Sequence, residues 1–195
     1  VIDFAAQDFH PVVILPADYD VLDMSIPPEQ RQPRRSAFSI GRYNEVRTGT
    51  YVTELFAGDR NIHIGIDIGA PLGTPVHSFA DGWIESFGYN PADGDYGHTV
   101  VTGHHLDGVE IYALFGHLDA RSTLGRVAGQ ELEKGRLIGH LGAEHENGGW
   151  PPHVHVQLSW QRPSSHDMPG VVTRAELAQA LLDYPDPRLV LGPLY

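Results

Sequence analysis

Two short stretches of this sequence carry side chains whose types and spacing could hold a metal ion. One is His63-Ile64-Gly65-Ile66-Asp67, an imidazole and a carboxylate four residues apart; the other is His153-Val154-His155-Val156-Gln157-Leu158, two imidazoles two residues apart. Zinc in a hydrolase takes three protein ligands, commonly histidine and carboxylate, and keeps a fourth position open for water. His63, Asp67 and His155 supply that set in a chain without cysteine. Water at such an ion would have its pKa lowered towards about 7, and a scissile carbonyl would be polarised. Hydrolysis also needs a proton acceptor and a stabiliser of the tetrahedral intermediate within hydrogen-bonding reach. His153, beside His155 and on the same side of a strand, is one candidate, and His117 in Phe115-Gly116-His117-Leu118 is the other.

Both stretches read as strands with an apolar back. Ile64, Ile66 and Ile68 alternate inward against His63, Gly65 and Asp67, as Val154, Val156 and Leu158 do against the histidine pair. Fully extended, His63 and Asp67 would stand about 13 Å apart. Converging on one ion therefore requires a bend or a loop, which Gly65 between them permits.

The surrounding chain, from about residue 51 to 160, reads as closely spaced strands. Asp81-Gly82, between Pro75–Phe79 and Trp83–Phe87, and Asp107-Gly108, between His98–Thr102 and Val109–Ala113, carry hairpin signals. Asp93-Gly94 marks another turn, and Gly129 and Gly135 bracket Gln130–Lys134. With no long amphipathic helix in this stretch, the expected class is mainly β, a compact and mostly antiparallel core. Residues 1–50 read as an irregular N-terminal segment broken by prolines at 11, 16, 27, 28 and 33. Residues 161–195 read as a linker, a helix opened by the capping box Thr173-Arg174-Ala175-Glu176 and ended by Pro185, and a tail.

Composition removes several function classes. A formal net charge of -12 with no basic stripe argues against nucleic-acid binding. No apolar run reaches the ~18 residues of a membrane span. The start at Val1, without methionine or a leader pattern, suggests a processed protein or an excised domain. Gly-x-Ser-x-Gly elbows and phosphate-cradling loops are absent. Twelve histidines also create decoys. His104-His105 reads as an exposed turn pair beside the groove, and His77, His98 and His140 as strand residues whose rings find a backbone partner. His145-Glu146 does not extend to a zincin helix, because Gly148-Gly149 and Pro151-Pro152 follow.

Taken in order, the motifs resemble the lysostaphin-type (LytM-like) zinc peptidases. His63-x-x-x-Asp67 followed by Ile68–Val76 and Asp81-Gly82 is similar to that family's first zinc motif. Phe115-Gly116-His117-Leu118 resembles its Tyr-Ala-His-Leu segment, Leu132–Gly139 its glycine-glutamine stretch, and Pro152-His153-Val154-His155 its Gly-Pro-His-Leu-His motif. The resemblance implies an antiparallel β groove holding one Zn2+ on His63, Asp67 and His155. His117 and His153 would act on the water and the oxyanion, and the substrate would be peptide cross-links or stems of peptidoglycan. Phe115 stands where the family usually has tyrosine, Pro151 replaces a glycine, and the loop Ala143–Trp150 departs from the usual serine/threonine-glycine run. Some members place a tyrosine shortly before the first histidine; here Tyr51 is distant in sequence, and Phe56 and Ala57 lack a hydroxyl. The implied location is the cell envelope or outside the cell. The alternative is a non-catalytic or accessory module of a larger protein, cytoplasmic if excised from a multidomain enzyme.

Overall fold

In the computed structural model, which describes residues 1–56 and 59–195, the strands in chain order are β1 Asp20–Val21, β2 Ser39–Gly41, β3 Glu45–Val46, β4 Ile62–His63, β5 Ile66–Gly69, β6 Pro75–His77, β7 Gly82–Asn90, β8 Gly97–Leu106, β9 Val109–Leu118, β10 Glu131–Leu132, β11 Leu137–His140, β12 His153–Ser159 and β13 Val171–Val172. Two helices follow, α1 Leu177–Asp183 and α2 Arg188–Leu191. Ala57 lies outside the described residues. The strands form an eight-stranded sheet in the order β1-β2-β5-β12-β9-β8-β7-β10, a three-stranded sheet β13-β4-β3 and the pair β11-β6. All pairings between these strands are antiparallel except β1 with β2, so the mainly β, antiparallel expectation holds. Among the described residues, no helix is long and apolar enough to cross a membrane.

The central strands are buried on both faces. On β9, Ile111, Ala113 and Phe115 enter the main core, whereas Tyr112 and Leu114 enter a second cluster with Tyr96, Val101 and Met168. On β12, Val154, Val156 and Leu158 point into the main core, which turns His155 and Gln157 to the opposite face. The segment before Tyr51, expected to be irregular, contributes β1, β2 and β3, and β2 lies directly against β5. The capping box forms as expected: the Thr173 hydroxyl and backbone N–H both donate to Glu176 Oε2, at 2.9 and 2.8 Å, and Glu176 N–H donates back to Thr173 Oγ1.

Three expectations need correction. Asp81-Gly82 is not a hairpin turn: β6 pairs with β11, and β7 pairs with β8 and β10. Gly82 opens β7, where a Cβ would collide with the Gly103 carbonyl oxygen, so glycine is required for close approach. Asp107-Gly108, by contrast, does turn the β8–β9 hairpin, with φ of 48° and 75°. His104 is not an exposed turn residue. It is fully buried, donating from Nδ1 to the Asp81 carbonyl at 3.0 Å and accepting from Thr102 Oγ1 at 2.7 Å; only His105 reaches solvent, beside Glu110. Nor does the His98 ring find a backbone partner: its Nδ1 lies 3.2 Å from the Thr123 hydroxyl.

Candidate metal centre and groove

The stretch from His63 to Asp67, expected to need a bend or a loop, divides between two sheets. His63 ends β4 in the three-stranded sheet, and Asp67 lies in β5 of the large sheet. Ile64 packs with Ile62, Val172 and Ala180, whereas Ile66 and Ile68 enter the main core. These two apolar destinations force the chain to bend at Gly65. The bend brings His63 Nε2 to 3.2 Å from Asp67 Oδ1. Gly65 has a second reason to be glycine, since a Cβ there would strike the His155 imidazole.

His155 stands directly opposite Asp67 in the β5–β12 register. Its Nδ1 lies 3.0 Å from Asp67 Oδ1 and 3.0 Å from His63 Nε2. Three ligand atoms thus face one another, and among the described residues His63, Asp67 and His155 form the group that could hold a metal ion. The outward nitrogen of His155 fixes its tautomer: Nε2–H donates to Gln157 Oε1 at 3.1 Å, leaving the Nδ1 lone pair turned inward. The Tyr96 hydroxyl lies 3.4 Å from the same Gln157 oxygen. His63 Nδ1 lies 2.9 Å from the Arg42 carbonyl oxygen; donation there turns the Nε2 lone pair inward too. The donor set fits a borderline cation such as zinc in atom type and in number.

His117 and His153 stack beside this group with ring centroids 4.2 Å apart. His117 reaches it through a bulge. His98 pairs with Leu118 and Val100 with Phe115, so Gly116 and His117 together oppose one residue of β8. His117 adopts φ 62°, and the extra residue reverses the alternation. Leu118 then fills the core position that His117 would have taken, and the imidazole turns to the groove. His117 Nδ1–H donates to the Asn147 carbonyl and His153 Nδ1–H to the Pro151 carbonyl, both at 2.7 Å, so each ring keeps a free Nε2. Asn147 in turn ties the loop around it, donating to the Gly142 and Trp150 carbonyls and accepting from Trp150 N–H.

Burial and fixed charge set the protonation states. Burial pushes His63 down to about 4, with the Arg47 guanidinium adding to the effect against the opposing Asp67 charge. Burial lowers His117 and His153 as well, with a neighbouring histidine adding to it in each case, so both rings stay neutral at neutral pH. Burial opposes ionisation of Asp67, yet Arg47 overrides it and holds this carboxyl well below the usual range. Arg47 Nη1 donates to Asp67 Oδ2 at 2.5 Å and to the Tyr51 hydroxyl at 3.3 Å.

The five histidine and aspartate positions expected from sequence lie together in a cavity of about 480 Å³. Tyr51 and Phe56, with ring centroids 4.5 Å apart, form an aromatic wall with Trp150. Tyr51 is therefore a groove residue despite its distance in sequence from His63. Leu22 and Met24 of the N-terminal segment line an edge of the cavity, and among the described residues that segment adds no member to the His63, Asp67 and His155 group. His104 and His105 are not among the lining residues. Sequence reading missed Arg47, Tyr96, Asn147 and Gln157. Only Gln157 carried a usable signal, two residues beyond His155 on the same strand face.

Residues 61–167 match the family described as Peptidase family M23. The DD-carboxypeptidase/endopeptidase Mpg of Neisseria meningitidis serogroup B is 36% identical over 120 residues, covering 61% of this chain and 25% of that protein. The peptidoglycan DD-endopeptidase ShyC of Vibrio cholerae is 32% identical over 101 residues, 52% of this chain and 21% of that protein. The chain thus spans about a quarter of the length of the curated relatives it matches. Among solved structures, the catalytic domain of lysostaphin from Staphylococcus simulans aligns with a TM-score of 0.49 at 20% identity, covering 73% of this chain and 92% of that one.

Proposed function

The chain belongs to peptidase family M23, a family that is zinc-dependent in general, and from that premise we propose that it is a zinc metallo-endopeptidase cleaving peptide bonds in peptidoglycan cross-links or stem peptides. The observation that carries this reading is the convergence of His63 Nε2, Asp67 Oδ1 and His155 Nδ1, with two further histidines beside them whose Nε2 atoms are free. His63, Asp67 and His155 would hold the ion. When bound, zinc supplies a Lewis acid that polarises the scissile carbonyl and acidifies a water molecule.

The remaining work falls to the protein. Neutral His153, anchored through Nδ1 to the Pro151 carbonyl, offers Nε2 to take a proton from the attacking water and return it to the leaving amine. His117, anchored to the Asn147 carbonyl, turns its Nε2 lone pair to the groove beside His153 and offers a second acceptor for the proton of the attacking water. The backbone carbonyl anchors fix both rings without side-chain freedom, so little reorganisation accompanies reaction. The Tyr51, Phe56 and Trp150 wall restricts water beside the bond and gives an extended peptide an apolar surface to lie against.

The test is digestion of purified peptidoglycan, with matched pentaglycine and D-alanine cross-link peptides, by the zinc-loaded protein and by His153→Ala. Cleavage that the substitution abolishes supports the proposal and names the bond. Bound zinc without cleavage of any wall substrate would instead favour an accessory module of a larger protein.

A further inference from the structure

Arg47 follows β3 and is almost fully buried, at 5% exposure, within a ring of polar groups that it cannot satisfy all at once. Its Nη1 is committed to Asp67 Oδ2. Its Nη2 lies 2.8 Å from His63 Nδ1, and the Arg42 carbonyl oxygen lies 2.9 Å from the same nitrogen. These two contacts demand opposite tautomers. Accepting from Arg47 requires a lone pair on Nδ1 and places the ring proton on Nε2, facing Asp67 and His155. Donating to Arg42 requires the proton on Nδ1 and frees Nε2 for a ligand bond.

Arg47 Nε and Glu45 Oε2 are buried without a hydrogen-bond partner among the described residues, and they face each other at 3.7 Å. Buried unsatisfied groups are uncommon and call for a reason. Here a displacement of under about 1 Å would turn the gap into a charge-assisted hydrogen bond. Glu45 is held in place by its other oxygen, which accepts from Met24 N–H at 3.1 Å, and Met24 lines the groove.

We propose that Arg47 is a positioning residue that exchanges partners with the metal: it donates to His63 Nδ1 when no ion is bound, and passes that interaction to Glu45 when an ion takes Nε2. The inference rests on the reading of His63, Asp67 and His155 as the metal-binding group. Asp67 is the pivot. Arg47 keeps Oδ2 in both positions, which leaves only Oδ1 for the ion and makes the carboxylate a one-oxygen ligand. With its second donor on His63, the guanidinium holds two members of the group together before an ion arrives. With its Nε on Glu45, it ties the loaded group to the Met24 wall of the groove.

The test uses the full chain with Zn2+ alone as the probe. Imidazole and arginine side-chain NMR spectra of the unmodified protein are compared after chelator treatment and after one equivalent of Zn2+. The expected result is that His63 Nδ1 becomes the protonated nitrogen and that the Arg47 Nε–H signal moves downfield and exchanges more slowly. Glu45→Gln removes the waiting charged acceptor and should weaken Zn2+ binding about 10-fold, the low end of the cost of losing an outer-shell partner. Arg47→Lys keeps a charge but lacks the Nε–H, so adding Glu45→Gln to it should cost no further affinity. An Arg47 Nε–H signal that is identical with and without Zn2+ overturns the exchange, as does wild-type affinity in Glu45→Gln. Failure of the unmodified protein to bind Zn2+ would overturn the metal reading itself, a different result from bound zinc with an unmoved Arg47.

Discussion

Two places in this protein bury histidine among polar partners, and they are built to opposite ends. At His104 both ring nitrogens are spoken for, one by the Asp81 carbonyl and the other by the Thr102 hydroxyl, and Phe79 covers the ring with centroids 4.2 Å apart. In the groove, His155, His117 and His153 each spend one nitrogen on a carbonyl or amide oxygen; the other nitrogen of His155 faces Asp67 and His63, and those of His117 and His153 are free. Burial pushes His104 down to about 4, as it does His63, so a lowered pKa does not separate the two places. What separates them is the remaining lone pair. A satisfied ring is a structural strut, whereas several half-satisfied rings around one carboxylate could hold a cation.

The sharpest break of this comparison comes from deleting one lone pair on each side. His155→Ala should lose at least about 100-fold in zinc affinity, more than an outer-shell change costs, and should lose turnover with it. His104→Ala should leave zinc affinity unchanged and lower only the unfolding midpoint. Chelator-competition titrations on both variants decide the matter. Next in size, His153→Ala should keep stoichiometric zinc while turnover falls about 10²–10⁴-fold, the usual contribution of a general base. Full turnover in that variant would remove its catalytic role. Gln157→Leu should weaken zinc about 10–100-fold, because the His155 tautomer is no longer fixed, with little change in secondary structure by circular dichroism.

The smallest effect is on stability against pH, and it belongs to His104. Its folded pKa is lowered, so the unfolded chain takes up the proton first as pH falls below about 6.5. Stability contributed by the neutral ring is therefore present above that value and lost progressively down to about 4. Between pH 7 and pH 5.5 the loss should be about 1 kcal/mol. Urea midpoints of the wild type and His104→Gln at the two pH values should differ by that increment. Parallel pH dependence in both proteins would show that His104 makes no such contribution.

The contrast also explains what could be read in advance. His63, Asp67, His153 and His155 were legible because their spacing matches strand alternation and their types match a metal's requirements. His117 was placed by its motif, but the bulge that aims it was hidden, because alternation alone sends residue 117 into the core. Arg47 left no trace in a segment broken by prolines. It reaches the site because Glu45 pairs with His63 across β3 and β4, a long-range contact without local pattern. Asp81-Gly82 misled for a related reason: a glycine required by a neighbouring backbone looks the same in sequence as one required by a turn. His104 and His105 are adjacent strand residues that point to opposite faces, so only one of the pair can be exposed.

The most direct test of the central claim is a crystal structure of the zinc-loaded protein with anomalous data at the zinc edge. One strong peak is expected about 2.0–2.2 Å from His63 Nε2, Asp67 Oδ1 and His155 Nδ1, with His117 and His153 beside it but outside bonding distance. A peak ligated by His117 or His153, or one lying away from Asp67 altogether, would contradict it.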